Sequence, residues 1–502
     1  MISQQILDSL SKFLPELTLS AFILILLIVE LFSKKKSRVS GYLAILGIAI
    51  TWVFTVQQNN LGPQVNFFGM VALDPFSYFF KILLLLSGLL IILFSFLSDD
   101  VKKVDYKTQE YYTLILTLTL GGFLMVSSVN LLMMYLSLEM VSLSSYILAG
   151  YLKKQQRSNE AALKYVIYGG VSSGLMLFGI SLLYGICGTT DIFGISRFLS
   201  NNPVNLITLL ISIFLIIAGF GYKISAVPFH FWTPDVYEGA PLPITAFLSV
   251  SSKAAGFAML IRFFLTAFKN ANPIPGHEGI PMFNMLQGLH WNEVIAVMAV
   301  ATMTLGNFVA IWQDNIKRLL AYSSIAHAGY ILLAFVAVTP QGVSAMILYF
   351  AVYLFMNLGA FFAAIMIADK FGTESINEMK GFGYRAPFLC VSMGIFLFSL
   401  TGVPLTAGFI GKFYIFSALI NSGYVWLALI GLLNAVVSLY YYIKILKNMF
   451  LLQPSGNKSK EKFGLAYNLI LIILIVPTIV LGIYFGPLTK FAEYSTQLFG
   501  LR

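Results

Sequence analysis

Charge is what this chain has least of. Only 10% of its 502 residues are Asp, Glu, Lys or Arg, where a soluble domain averages about 25%. With 58% hydrophobic residues, that scarcity excludes a large soluble enzyme and leaves a polytopic membrane protein. Cysteine is nearly absent as well: the two present, Cys187 and Cys390, stand far apart in apolar segments. There is no CxxC pair, no Cys/His cluster and no G-x-G-x-x-G turn after a strand. The chain therefore offers no recognisable place for an iron–sulfur cluster, zinc or a dinucleotide, and no redox carrier is expected in it. A formal net charge of +10 would suit nucleic acid, but the basic residues fall in short clusters between apolar runs, the pattern of membrane orientation. The expected surroundings are lipid, not nucleic acid. A basic lead-in and an A-x-A-like cleavage site are also missing, so the first apolar run, followed by KKKSR, reads as a retained helix and not a signal peptide.

Long apolar runs are what the chain has in abundance. Runs of spanning length fall at 13–32, 39–57, 76–98, 109–127, 128–150, 161–186, 204–226, 241–268, 292–312, 319–337, 342–369, 386–420, 424–450 and 464–486. They predict an all-α polytopic membrane protein of about 14 transmembrane helices. Breakers inside or beside the seventh, eighth and twelfth predict broken helices there, with Pro228, Pro234, Pro241 and Pro243 concentrated at the first two. Basic clusters follow the odd-numbered spans: Lys34, Lys35, Lys36 and Arg38; Lys102, Lys103 and Lys107; Lys153, Lys154 and Arg157. Lys317 and Arg318, then Lys370, Lys380 and Arg385, then Lys447, Lys458, Lys460 and Lys462 continue the series. The positive-inside rule then makes the odd connections cytoplasmic and puts both termini outside.

A weak internal repeat is present. Val227-Pro228 recurs as Val403-Pro404, Asn130 as Asn315, SLSSYIL at 142–148 as SIAHAGYIL at 324–332, and Tyr168 as Tyr349. The offsets correspond to five helices, and an odd number makes the copies inverted in the membrane, as in many secondary transporters. The expected division is an N-terminal three-helix segment at 1–108, a first repeat at 109–270 (helices 4–8), a second at 271–450 (helices 9–13), and helix 14 with its tail at 451–502.

Ionisable groups inside such runs are expensive to place and commonly mark an ion or proton route. Glu139 is the one acid in LLMMYLSLEMVSLSSYIL, and its burial calls for a partner or a role. Lys223 lies a turn before the Val-Pro break, where a carboxylate moving closer or away would change its hold on a proton. Lys253 sits among small residues in FLSVSSKAAGFAML, and Lys412 is a single cation in GVPLTAGFIGKFYIF. His327 is equally a relay between the two lysines or a hydrogen-bonded core histidine. His230, Asp235 and Glu238 follow the break and read as a structural turn or an access vestibule. Lys164, Arg262 and Lys444 lie toward helix ends and read as snorkelling cations. His277 and His290 are bland loop residues.

These motifs carry a resemblance. WTPDVYEGAP at 232–241 with TAFLSVSSKAA at 245–255, supported by LKYVIYGGVSSG at 163–174 and KRLLAYSSIAHAGY at 317–330, resembles the antiporter-like subunit N (subunit 2) family of the proton-pumping NADH-quinone oxidoreductase, respiratory complex I. By motif match the resemblance makes Glu139, Lys223, Lys253 and Lys412 the proton-transfer residues, with His327 a further relay and His230 a weaker candidate. The M-type sister family carries a glutamate where this chain has Lys412. The L-type carries a long C-terminal lateral helix that the tail after Phe485 does not accommodate. The resemblance implies proton translocation driven by quinone reduction elsewhere, with NADH, FMN, iron–sulfur clusters and quinone held by partner subunits and no cofactor or metal in this chain. Neighbouring antiporter-like and quinone-site subunits are the implied partners, in a bacterial cell (inner) membrane. A subunit of a multi-subunit sodium/proton antiporter, which shares the fold and the lysines, is the alternative.

Overall fold

In lipid every backbone N–H and C=O must be satisfied within the protein, which favours helices along a chain of apolar runs. The computed structural model describes residues 2–32, 38–102, 104, 108–271, 285–286, 288–453 and 459–498. Lys34, Lys35, Lys36, Lys103, Lys107, His277 and Lys458 lie outside the described residues. The spans are α1 (Leu14–Phe32), α2 (Val39–Asn59), α3 (Pro75–Leu97), α4 (Gln109–Ser127), α5 (Leu131–Ala149), α6 (Gln156–Cys187), α7 (Leu206–Ile224) and α8 (Leu242–Ala267). They continue as α9 (Trp291–Ile311), α10 (Ile316–Val336), α11 (Pro340–Phe371), α12 (Pro387–Thr401), α13 (Ala407–Asn421), α14 (Val425–Phe450) and α15 (Leu465–Ile483). Thirteen of these are long and apolar enough to cross a membrane singly. The short pair α12 and α13 together occupies the 386–420 run, which gives the expected fourteen.

Three interruptions stand where the sequence predicts them. α7 ends at Ser225 in the left-handed region, and the chain passes through 226–231 into a short helix, Trp232–Gly239, before α8 begins. α8 is interrupted by a π turn over Leu248–Ser252, immediately before Lys253. α12 ends at Gly402 with φ +91°, a conformation that suits glycine, and α13 resumes at Ala407.

The two repeats are built alike. Asn130 caps α5 and pairs across a backbone bridge with Asp191; Asn315 caps α10 and pairs in the same way with Ser375. Each asparagine amide donates to the residue before its bridge partner, to Thr190 Oγ1 at 2.9 Å and to Glu374 Oε2 at 3.0 Å. The following helices, α6 and α11, are both 32 residues long and both stop at a left-handed glycine, Gly188 or Gly372.

α8, largely apolar apart from its serines, threonines, Lys253 and Arg262, has every residue of its spanning window buried, and α10 and α11 are nearly as enclosed. α1, α6, α14 and α15 form the periphery. Serines lock the centre: Ser251 Oγ in the π turn donates to Ser87 Oγ at 2.6 Å, and Asn357 Nδ2 on α11 donates to Ser249 Oγ at 2.7 Å.

Two buried ion pairs fasten the N-terminal helices. Lys81 Nζ meets Glu16 Oε1 at 2.5 Å and donates to Gln58 Oε1 at 2.9 Å. Arg262 is not the snorkelling cation the sequence suggests. It is fully buried, grips both oxygens of Asp74 at 2.7 and 2.9 Å, and donates to the Val126 carbonyl at 3.0 Å. Asp74 meanwhile caps α3 through Ser77 N at 2.8 Å, so this carboxylate joins a helix start to a distant arginine.

Candidate functional site

A row of buried polar groups runs through the interior from α5 to α14. Glu139, on α5, lies on the stripe that also exposes Leu132, Leu136, Leu143 and Ile147, so its backbone faces outward while its Oε1 is buried and without a hydrogen-bond partner. It lies within electrostatic reach of Lys223, Tyr146 and Tyr222. It does not form an ion pair with Lys223 among the described residues. Lys223 Nζ instead donates to Ser142 Oγ, one turn along α5 from Glu139, at 3.1 Å.

Lys223 occupies the last turn of α7, where the negative end of the helix dipole favours a cation. Its stem crosses α8 at Gly256: a Cβ there would stand 3.0 Å from Lys223 Cγ. Gly256 is one helical turn from Lys253, so the Lys223 stem packs against the same segment of α8 that carries the second lysine.

Lys253 leaves the π turn and donates to Ser324 Oγ at 2.6 Å and to the Ser324 carbonyl at 3.0 Å. Ser324 precedes His327 by a turn of α10. The His327 Nδ1 faces Tyr349 Oη at 2.5 Å and its Nε2 faces Tyr442 Oη at 3.3 Å, and Tyr442 Oη in turn meets Ser323 Oγ at 2.5 Å. His327 is thus a core histidine with both ring nitrogens at hydroxyls, within electrostatic reach of Lys253 and Lys412. Tyr441, whose ring centroid is 4.4 Å from that of Tyr442, donates to Asn307 Oδ1 at 3.1 Å, and Asn307 Nδ2 donates to Tyr330 Oη at 3.1 Å.

Lys412 closes the row. Its Nζ lies 4.5 Å from the Tyr330 ring centroid and donates to the Leu400 and Thr401 carbonyls at 3.0 and 2.8 Å. Those carbonyls are the open C-terminal end of α12, another helix terminus favouring a cation. A Cβ at Gly402 would stand 3.0 Å from Lys412 Cδ, so here too a glycine clears the lysine stem.

The side chains of Lys223, Lys253 and Lys412 are 1, 2 and 4% exposed. Among the described residues none of the three forms an ion pair with a carboxylate. Lys81 and Arg262, equally buried, each have one. Removing an ion from water costs several kcal/mol unless it is compensated. The three lysines are held by hydroxyls, carbonyls, a ring face and helix ends, none of which carries a full negative charge that loss of the proton would strand.

The remaining candidates lie at the end of the molecule where α6 and α10 begin. Asp235 receives Lys164 Nζ at 2.6 Å and Arg318 Nη1 at 2.8 Å; Glu238 receives the same Arg318 atom at 2.8 Å and Arg157 at 3.4 Å. Burial alone would lift the Asp235 carboxyl, but the Lys164 and Arg318 hydrogen bonds outweigh it and hold it below the usual carboxylate range. Arg157, Glu160, Asp235, Glu238 and Arg318 line a pocket of about 160 Å³. Lys164 and Lys444 are paired, not snorkelling, the latter with Asp314 at 2.9 Å. His230 is buried, its ring tilted against that of Phe231, and leaves Nδ1 without a partner; among the described residues no hydrogen bond joins it to the row lysines. Among the described residues no group of three or more His, Cys, Asp or Glu is arranged to hold a metal.

Sequence reasoning assigns no site role to Ser142, Ser324, Tyr330, Tyr349, Tyr442 or Asn307, although Tyr349 enters the repeat. The paired serines one turn before His327, in YSSIAH, are the signal that could have found Ser324.

Residues 128–275 and 279–438 match the family described as NADH:quinone oxidoreductase/Mrp antiporter, TM. The chain is 49% identical over 98% of its length to the NADH-quinone oxidoreductase subunit N 2 of Chloroherpeton thalassium, covering 95% of that protein. It is 45% identical over 98% of its length to the NADH-quinone oxidoreductase subunit N of Chlorobium chlorochromatii, covering 96% of it. A chain of respiratory complex I from Thermus thermophilus with bound aureothin superposes with a TM-score of 0.77 at 27% identity, over 95% of this chain and 99% of that one.

Proposed function

Because the chain belongs to the NADH:quinone oxidoreductase/Mrp antiporter membrane family, we propose that it is the proton-translocating, antiporter-like membrane subunit of an NADH-quinone oxidoreductase. Protons pass along Lys223, Lys253, His327 and Lys412, and Glu139 modulates the first of these. The observation that carries this reading is the contrast between two kinds of buried cation. Lys81 and Arg262 are neutralised by carboxylates and are structural, whereas the three row lysines are not and can change protonation without stranding a partner charge.

Quinone reduction in other subunits supplies the drive, and NADH, FMN, iron–sulfur clusters and quinone belong to those subunits. Moving one charge against about 100 mV requires about 2.3 kcal/mol. A rearrangement of Glu139 relative to Lys223 worth one or two pKa units, at about 1.4 kcal/mol each, is of that size. The chain lies in a bacterial inner membrane with both termini on the periplasmic side, the orientation supported by Arg38, Arg157, Lys317, Arg318 and the other basic residues of the odd connections. The repeats 109–270 and 271–450 then lie inverted about the row. The Mrp-type sodium/proton antiporter reading is less supported, since the relatives matched over nearly their full length are named as the respiratory subunit.

Replacing Lys253 with Ala in the intact complex tests the proposal. NADH oxidation by uncoupled membranes and proton uptake by sealed vesicles are measured together, with co-purification of the partner subunits as the control. Protons moved per NADH fall if the row conducts, and an unchanged ratio in an assembled complex refutes it.

A further inference from the structure

At the end of the bundle that carries the basic clusters, a cavity of about 230 Å³ opens between the start of α2, the end of α3 and the start of α4. Arg38 and Lys102 line it, and among the described residues no Asp or Glu does. Arg38 is exposed, makes no capping bond and is in no ion pair among the described residues. Lys102 Nζ is braced by the Leu97 carbonyl at 2.5 Å and Tyr467 Oη at 3.2 Å, with the Asp99 carboxylate 4.0 Å away. Thr108 and Tyr112 also line the cavity and are 3 and 4% exposed. Among the described residues neither hydroxyl has a hydrogen-bond partner, whereas Ser95 Oγ, on the same wall, is engaged with Tyr111 Oη at 2.8 Å.

Snorkelling accounts for two cations at a membrane surface but not for what surrounds them. The cavity is several times the ~30 Å³ share of one water, and polar groups converge on it. The N-caps of α2 and α4 are Arg38 and Thr108, and neither side chain bonds to the first turn. The starts of two long helices therefore meet one cavity without a capping side chain, an arrangement that favours an anion. The aromatic wall is close-set: a methyl at Gly41 would stand 2.4 Å from Phe96 Cε1 and 3.1 Å from Tyr112 Cζ, the atom that bears the hydroxyl. That end of the Tyr112 ring thus lies at the first turn of α2, three positions from Arg38. From the cavity, Val39, Tyr42, Leu46 and Val53 follow one face of α2, each about half exposed. They make an apolar track leading from the cations into the bilayer. A free anion has no use for such a track, and an acyl chain does.

We propose that this cavity binds the phosphodiester headgroup of an anionic phospholipid from the adjoining leaflet, with the acyl chains lying along the exposed face of α2. Basic pockets between transmembrane helices recognise such headgroups. The planar fork of Arg38 suits paired phosphate oxygens, and Lys102 adds a second positive charge. The Thr108 and Tyr112 hydroxyls donate to the remaining oxygens of the headgroup. α2 and α3 belong to the N-terminal three-helix segment and α4 opens the first repeat, so the bound lipid ties these two parts together at one end. Nothing in this depends on the proton route; a membrane-spanning chain suffices.

The test uses the intact complex in bilayers that contain photoreactive phosphatidylglycerol or, separately, photoreactive phosphatidylcholine. Labelled peptides are mapped by mass spectrometry, and wild type is compared with the Arg38→Gln, Lys102→Gln double variant, subunit co-purification being the control for assembly. In wild type the phosphatidylglycerol probe is expected to label peptides spanning 38–46 or 96–112. The double variant should lower that labelling by about tenfold or more, as removal of two cations from an anionic headgroup requires. Labelling by the phosphatidylcholine probe should be weak in both. Equal labelling of wild type and variant overturns the proposal, and so does equal labelling by the two probes, which marks an ordinary lipid contact without recognition of charge. No labelling of the wild-type peptides means that a protein surface or nothing covers the cavity. Loss of the label in excess inorganic phosphate means that a free anion is the occupant, and either result overturns the lipid assignment. If the double variant does not assemble, Thr108→Val with Tyr112→Phe, which keeps the shapes and removes both hydroxyls, decides by the same criteria.

Discussion

The stem of Lys223 crosses α8 at Gly256, so close that a single added methyl there would lie 3.0 Å from Lys223 Cγ and 3.1 Å from Ile224 Cγ2. The lysine at the end of one broken helix therefore packs on α8 one turn from the lysine that begins the next helical segment. That approach is tight enough that any side chain at 256 makes the Lys223 stem or Ile224 give way.

Gly256→Ala should displace the Lys223 stem by a few tenths of an ångström, and Gly256→Val by more. Overpacking of this kind costs about 1–3 kcal/mol. A graded fall in protons moved per NADH from glycine to alanine to valine is expected, with uncoupled oxidation retained. Assembled valine variants that pump normally would show that the Lys223–α8 approach has no part in conduction.

Gly402 makes the same clearance for Lys412 with an added backbone constraint, since its φ of +91° is strained for any L side chain. Gly402→Ala should therefore cost about 1–2 kcal/mol in backbone strain before any contact with Lys412 is counted. Loss of thermal stability together with reduced pumping is the expected outcome. Measuring both in the purified complex checks it.

The buried pairs predict a different phenotype. Arg262→Met leaves Asp74 charged in the interior, and breaking such a pair by removing one partner costs about 3–5 kcal/mol. The variant should lower the amount of assembled subunit without selectively lowering protons per NADH in the complex that survives. Arg262→Met combined with Asp74→Leu should recover part of the loss, less completely than for a simple pair because Asp74 also caps α3. Quantifying the subunit in isolated membranes distinguishes the single from the double replacement.

The distance between these classes explains what could be read from the chain in advance. Spans are legible because an apolar run of bilayer length has few other uses, and the breaks because the prolines of Val227-Pro228 and Val403-Pro404 interrupt helical hydrogen bonding. Lys223, Lys253 and Lys412 stand out because a charge in such a run is rare. Partners are a separate matter. Arg262 looks like a helix-end cation until Asp74, 188 positions away, is brought to it. Glu139 is the chemically obvious mate for Lys223, yet the geometry gives the lysine Ser142 instead. Phenols are the least legible: with 26 tyrosines in the chain, nothing local separates Tyr330, whose ring meets Lys412, from packing residues.

Asp235 gives a pH dependence with a defined sign. Its folded-state carboxyl is held below the ordinary value of about 3.9. The stability it contributes is complete above that value and is lost as pH falls through the lower folded-state value. Its side chain is 32% exposed, so the contribution is screened and amounts to at most about 1 kcal/mol. The difference in thermal stability between wild type and Asp235→Asn should stay constant over roughly pH 5 to 8 and shrink only below about pH 4. A difference that changes across the neutral range would mean that a group other than Asp235 governs the Lys164–Arg318 cluster.

Ser142 and Ser324 hold their lysines unequally, and their replacement separates the two stations. Lys223 donates to Ser142 at 3.1 Å through a side-chain hydroxyl alone, whereas Lys253 keeps the Ser324 carbonyl at 3.0 Å even when Oγ at 2.6 Å is removed. A hydrogen bond to a charged group contributes about 1.5–3 kcal/mol. Ser142→Ala therefore strips Lys223 of its one hydrogen bond to α5 and should leave its ammonium freer to swing toward Glu139. Ser324→Ala should leave Lys253 in place but interrupt the row between it and His327. The position of each ammonium can be followed by labelled-lysine NMR of the purified subunit in detergent, and conduction by proton uptake in vesicles. The expected pattern is a moved Lys223 resonance for Ser142→Ala, and for Ser324→Ala a nearly unmoved Lys253 resonance with reduced uptake. The reverse assignment would mean that Ser324 positions its lysine and that the route leaves Lys253 by another side.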